Sequence, residues 1–268
     1  MNQIEARPPA GNSGTGVRVL ARGLAILQAF EPDNAWRSNA ELAAMTGIPK
    51  PTVSRITAHL TASGYLIYSS EGAQYKLSTS VLALGYLAAS IFELTTQARP
   101  LMQELADDHN GSIVLASLDG LSMVCQEVCH GRNMLFALRV HPGSRLSLSR
   151  SALGRAIIGA LSEKERSKLL AAIAQARPEH WHKLEPQIQA SVQEMQEHGY
   201  CIATGTLETG TNGIAVVIDM PDRPHAYALG FAVPANQVTA GYLANEIAPR
   251  LLEIKHRLEH DLALRSMT

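Results

Sequence analysis

A chain of 268 residues is long enough for two ordinary domains. With 46% apolar and 18% charged residues it has the material for packed cores, which excludes wholesale disorder. A formal net charge of −1 excludes a protein that grips polyanions by bulk charge alone, although residues 1–80 carry seven basic and five acidic groups. No run of eighteen uncharged apolar residues occurs, so no transmembrane helix is expected.

Residues 1–16, polar and rich in Pro and Gly, lack the apolar core of a signal peptide and are expected to form a disordered leader. Val19, Leu20, Leu24, Leu27 and Phe30 recur at helical spacing and predict a helix over 17–30. Ser38-Asn39-Ala40-Glu41 has the form of a capping box that opens a second helix, with Leu42 and Met45 facing inward. Gly47 supplies a tight turn plugged by Ile48, and Lys50-Pro51 starts a third helix. Val53, Ile56 and Leu60 form its apolar stripe, Gly64 closes it, and Thr52, Ser54, Arg55, Thr57 and His59 are expected on its outer face. A short helix, a glycine turn and a second helix with a small, polar and cationic face make a helix-turn-helix. Two β-rich runs, 65–68 and 74–77, flank a turn-rich loop and predict a wing. Arg55 has the fork to read a guanine edge, and Lys50, Pro51, Thr52 and Ser54 stand at a helix N-terminus suited to phosphate. Arg18, Arg22, Ser38, Gln74 and Tyr75 complete the predicted DNA-contacting set, with Glu71 unfavourable at the wing tip.

Residues 78–97 read as one helix with a broad apolar surface, for which a second chain is the expected cover. A further helix is expected from Pro100 to Asn110-Gly111. Strands follow over 112–118 and 122–128 about an Asp119-Gly120 turn, with a β-rich run at 134–140. Helices are expected over 151–161, 163–174 and 186–198, the second opened by a capping box at Ser162–Glu165. His180-Trp181-His182 is expected in a surface loop. Two strands near 212–219 and 225–233 precede a last helix whose inner face is Leu243, Ile247, Leu251, Ile254, Leu258 and Leu262. Strand pairs alternating with helices predict a mixed α+β domain. The odd cysteine count (Cys125, Cys129 and Cys201) fits a reducing cytoplasm, and Cys125, Cys129 and His130 lack the second ligand pair of a zinc site.

The first stretch resembles the IclR family of bacterial transcriptional regulators. The residues that carry it are Arg22-Gly23-Leu24-Ala25-Ile26-Leu27, Glu41-Leu42-Ala43, residues 47–55, Leu60, Gly64-Tyr65-Leu66 and Tyr75-Lys76-Leu77. Pro51 stands where the family usually has Ser, one phosphate hydrogen bond fewer. In the second half, residues 142–148, Ser151-Ala152-Leu153-Gly154-Arg155-Ala156, His198-Gly199-Tyr200 and Gly213-Ile214-Ala215-Val216 resemble the same family's effector-binding domain. The resemblance implies a winged helix-turn-helix at 17–80, a linker helix at 81–97 and a GAF-like mixed α/β effector domain at 98–268. It implies no cofactor, a small organic acid as effector, and operator DNA bound by a homodimer or a homotetramer. Repressor and activator roles both stay open. Carried over by motif, the effector wall comprises Leu135, Leu138, Leu146, Ser151, Ala152, Leu153, Gly154, Ala203, Thr211, Gly213, Gly230 and Ala232.

The chain departs from the family in two places. Acidic residues common after the Gly-Tyr pair are reduced to Glu208, and Gly230 and Ala232 replace hydroxyl residues. Both changes predict a roomier, less polar pocket for an acid larger than glyoxylate or pyruvate, an aromatic acid among them. Catalysis is not expected, because no His-Glu-x-x-His helix, Gly-x-Ser-x-Gly elbow, Walker loop or dinucleotide fingerprint occurs. The alternative to a regulator is a small-molecule sensor or scaffold that lacks specific DNA binding.

Overall fold

The computed structural model describes residues 15–30, 35–90, 93–134, 138–207, 210–220 and 223–265. Most of the expected leader and Leu135 lie outside the described residues. The chain divides into two compact units, residues 1–91 and 92–268.

The first unit contains α1 (Thr15–Gln28), β1 (Arg37–Ser38), α2 (Asn39–Thr46), α3 (Lys50–Ala62), β2 (Leu66–Ser69), β3 (Gln74–Leu77) and α4 (Thr79–Ser90). Ile26, Leu42, Ile48, Val53 and Ile56 form its core, while Met45, expected inside, is exposed in the last turn of α2. The capping box at Ser38 is complete, and Gly47 closes α2 in the left-handed conformation. At the end of α3 the amide of Tyr65 donates to the Leu60 carbonyl and that of Gly64 to Thr61. With Gly64 at φ +80°, this pair of bonds is a Schellman stop, which turns the chain directly into the wing. The sheet order β1-β3-β2 adds a strand the sequence did not announce, since two residues are too short to show alternation.

The second unit contains α5 (Glu93–His109), β4 (Ser112–Asp119), β5 (Ser122–His130), β6 (Arg145–Ser147), α6 (Ala152–Ala160), α7 (Glu163–Ala176) and a 3-10 turn (Pro178–His180). It continues with α8 (Trp181–His198), β7 (Tyr200–Thr204), β8 (Thr211–Met220), β9 (Arg223–Pro234), α9 (Ala240–Tyr242), a π-turn (Leu243–Ile247) and α10 (Ala248–Arg265). The six strands pair antiparallel in the order β6-β5-β4-β9-β8-β7.

The sheet's two faces differ in side-chain size, and that difference makes the site. Ile113, Leu115, Ile214, Val216, Leu229 and Phe231 pack with residues of α5 and α10. The opposite face carries Ala116, Ala203, Ala215 and Ala228, and packs with α6 and α8. Gly213 and Gly230 share this face, where small residues let α6 approach closely. A Cβ on Gly230 would lie 2.9 Å from Leu153 Cδ2. The six periodic residues of the last helix are all buried, as their spacing predicts.

Several expectations need correction. The helix expected to start at Pro100 is already under way at Glu93, so Pro100 lies inside α5. The proline is tolerated there because Leu94, Ala98, Met102 and Leu105 anchor the helix in the core on both sides of it. His180-Trp181-His182 is a helix entry, not a loop, since α8 starts at Trp181. Met134 and residues 138–140 carry no strand. Cys125 and Cys129 do not share a site. The β4–β5 register shifts between Leu115 and Ala116, which leaves Gln126 as an extra residue. Cys125 therefore joins the core beneath α6 and Cys129 the core beneath α5.

Candidate DNA-binding face and effector pocket

In the first unit, Lys50, Pro51, Ser54, Arg55 and His59 are exposed on α3 and Thr52 is half-buried. The N-terminus of α3 has no side-chain cap, and Pro51 has no amide to satisfy. The amides of Thr52 and Val53 donate to the Pro49 carbonyl, which leaves the Lys50 amide as the first-turn donor for an external acceptor such as a phosphate. The face presents one guanidinium, one ammonium and two hydroxyls, the donors needed for a groove edge and its backbone. Arg18 is exposed and Arg22 half-buried on α1. His59 borders an apolar groove with Val19, Leu20, Leu24 and Leu84, so it stands at the edge of the helix face.

Two of the predicted DNA contacts are structural. Thr57 is fully buried, and its hydroxyl is bonded to Asn39 Oδ1 at 3.0 Å and the Ser54 carbonyl at 3.1 Å. It joins the start of α2 to the middle of α3 and so holds the angle between them. Tyr75 is buried in β3, where its ring packs on Tyr68 at 4.9 Å. Ser38 keeps its capping role: its hydroxyl donates to Glu41 Oε2 at 2.8 Å and accepts from the Glu41 amide at 3.3 Å. Gln74 is half-buried where the wing loop enters β3, paired with Ser69. The missed wing feature is Lys76, whose ammonium lies 4.9 Å from the centre of the Trp36 ring.

In the second unit a narrow pocket, with about 40 Å3 of open space as it stands, lies between the N-terminal turn of α6 and the small-residue face of the sheet. Of the predicted wall, Leu138, Leu146, Ser151, Ala152, Leu153, Ala203, Thr211, Gly213, Gly230 and Ala232 line it together. Gly154 does not. A Cβ there would lie 2.1 Å from the Leu148 carbonyl oxygen, so this glycine serves the close packing of α6 on the preceding turn. Sequence reasoning missed Ile214 and Phe231, which alternate with the predicted strand residues, Val114 on β4, and Thr206 and Leu207. The last two sit in a loop, where no periodicity marks them. Glu208 lies outside the described residues.

The pocket wall is chiefly apolar. Its hydroxyls are Ser151, Thr206 and Thr211, and its lining includes no charged side chain among the described residues. Ser151 caps α6: its oxygen accepts from the Gly154 amide at 3.0 Å and its hydroxyl donates to the Ser147 carbonyl at 2.8 Å. Ala152 and Leu153 then hold first-turn amides that the helix itself cannot bond. Behind this turn, Arg155 is buried, with Nε donating to the Ser149 carbonyl at 2.9 Å and Nη2 to Gln187 Oε1 at 2.7 Å. It fixes the loop before α6 and ties α6 to α8. Cys201 Sγ lies 3.3 Å from the Ala152 carbonyl. Burial raises the pKa of all three thiols, Cys125 to about 12 and Cys129 to about 11, so they sit as neutral packing groups. Among the described residues no helix is long and apolar enough to cross a membrane.

A winged helix-turn-helix joined to a separate pocket-bearing α/β domain defines the class of one-chain transcriptional regulators that couple a small molecule to DNA. The family model "Bacterial transcriptional regulator IclR C-terminal" matches residues 86–258, and "IclR helix-turn-helix domain" matches residues 19–69. The chain belongs to the IclR family of transcriptional regulators. It is 28% identical over 252 residues to the HTH-type transcriptional regulator TsaQ1/TsaQ2 of Comamonas testosteroni, covering 93% of this chain and 90% of that one. An IclR family regulator from Brucella abortus is 34% identical, with a TM-score of 0.79 over 91% of this chain and 92% of the other. An IclR homologue from Microbacterium hydrocarbonoxydans, solved with 4-hydroxybenzoate, shares the fold. Its TM-score is 0.70 at 18% identity, over 92% of this chain and 99% of the other. The protein is thus a ligand-responsive DNA-binding regulator, in a family whose members act by regulation and not by catalysis.

Proposed function

We propose that the protein controls a catabolic operon in response to an aromatic acid of the benzoate type, bound in the pocket under α6. The observation that carries this reading is the lining itself: apolar walls from Val114, Leu138, Leu146, Leu153 and Leu207, with hydroxyls from Ser151, Thr206 and Thr211. Such a wall suits a ring better than a two- or three-carbon keto acid, whose surface is almost all polar. The carboxylate would accept from the Ala152 and Leu153 amides at the positive end of α6. The homologue solved with 4-hydroxybenzoate supports the same ligand class. Isothermal calorimetry tests it. Benzoate or 4-hydroxybenzoate is expected to bind and pyruvate and glyoxylate to bind weakly or not at all. Tight pyruvate binding with no response to benzoates would overturn the reading.

The exposed residues Lys50, Pro51, Thr52, Ser54 and Arg55 are the proposed reading face, with 17–80 as the DNA-binding domain and 98–268 as the effector domain. The acting species is a cytoplasmic homodimer, or a pair of dimers, on a pseudo-palindromic operator. The groove of Val19, Leu20, Leu24 and Leu84 supports the pairing, because four large apolar side chains stand about half or more exposed there or beside it.

A further inference from the structure

Thr206 and Leu207 form one wall of the pocket, and neither belongs to a strand or helix. Their segment follows Gly205, which has φ +62° and whose amide donates to the Thr211 carbonyl at 2.8 Å. Thr206 also borders a second, polar cleft with Arg155, Gln187, Glu194, His198 and Thr204. It is therefore a thin partition between the pocket and an open surface cleft. One exposed side chain holds it. Arg150 Nε donates to the Thr206 carbonyl at 2.7 Å and Arg150 Nη2 to the Leu207 carbonyl at 2.5 Å. Thr206 Oγ1 returns a bond to the Arg150 carbonyl at 2.6 Å.

We propose that Arg150 is the latch of the pocket, a positioning residue that keeps Thr206 and Leu207 across its mouth and sets how fast ligand enters and leaves. The fork geometry is what the task requires: a guanidinium spans two successive carbonyls at once, which a lysine ammonium cannot do with the same rigidity. Arg150 is exposed and does not line the pocket, so it acts through the segment it holds and not by touching ligand. Its bonds cross from the turn before α6 to the β7–β8 connection, 56 and 57 residues away in sequence. Opening the latch leaves both cores intact, because Thr206 and Leu207 belong to neither buried cluster.

The proposal rests on reading this pocket as the effector site, but its test needs no effector. Ala203 lines the pocket and is 5% exposed, and the three native cysteines are buried. In the full-length Ala203→Cys protein, alkylation by iodoacetamide is followed peptide by peptide in a mass spectrometer. Adding Arg150→Ala is expected to speed labelling of the new cysteine about tenfold, with Cys125 and Cys129 unchanged. Arg150→Lys should fall between, and Thr206→Val, which removes only the returned hydroxyl bond, should give a smaller rise. An unchanged rate in Arg150→Ala overturns the latch. Equal acceleration of Cys125 and Cys129 does so too, since it marks general loosening. If Arg150→Ala fails to fold, Thr206→Val alone decides by the same criteria. Failure of wild-type protein to bind 4-hydroxybenzoate would sink the ligand assignment and leave the labelling result standing.

Discussion

Arg55 and Thr57 lie two positions apart on one helix and serve different ends. Arg55 is exposed, and its loss is expected to leave the melting temperature unchanged while weakening binding to a cognate operator by about 1–3 kcal/mol, the range for one good bidentate base contact. Fluorescence anisotropy with specific and scrambled duplexes checks it, since a mere phosphate contact would weaken both equally. Thr57 is buried, and Thr57→Val keeps its shape while stripping the bond to Asn39. The expected cost is about 1–2 kcal/mol of stability, read as a lower melting temperature, because Asn39 Oδ1 loses a buried partner. The helical period in fact places residue 57 on the apolar side, with 53, 56 and 60. Its hydroxyl misleads when polarity is read ahead of position.

At the scale of elements, the capping box on α2 makes a pH prediction. Hydrogen bonds from the Ser38 amide and hydroxyl, with a smaller attraction from Arg37, hold the Glu41 carboxyl below its ordinary pKa. A carboxylate lowered in this way stabilises the folded state above its unfolded pKa, and that support is lost as pH falls through the lowered value. Wild type is therefore expected to melt higher than Glu41→Gln near neutrality, and the gap should close as pH drops below about 4. Melting curves across that range check the sign. The box on α2, the Ser162 cap on α7, the glycine stops and the wing were legible because local chemistry dictates them. β1, β6 and β7 were not, being short strands whose pairing is decided by distant partners. The α5 boundary was misread because Pro100 signals a helix start locally, and only the core contacts of Leu94 and Ala98 extend the helix back past it. Ten of the twelve residues predicted from motif position line the pocket, whereas Thr206 and Leu207 are brought to it by a loop.

For the whole molecule, the near-neutral charge means that pairing and base contacts, more than bulk attraction, must supply operator affinity. The exposed groove of α1 is the proposed route to pairing. Leu20→Glu in this 66% exposed position should leave the fold intact and shift the species seen by light scattering toward monomer. An unchanged dimer would place the pairing surface elsewhere. Coupling of pocket to DNA requires that ligand bind one arrangement of the assembly more tightly than another. A pocket variant isolates that requirement. A Cβ on Gly213 would sit 3.6 Å from the Ala152 Cβ and 3.4 Å from the Phe231 carbonyl oxygen, so a valine there fills the space meant for ligand. The most direct test is therefore binding of wild type and Gly213→Val to the DNA upstream of the gene and its neighbours, with and without 4-hydroxybenzoate. Sequence-specific binding that shifts about fivefold or more with ligand in wild type, and not in the variant, is the predicted result. Binding with no sequence preference, or a ligand effect that survives in Gly213→Val, would contradict the account.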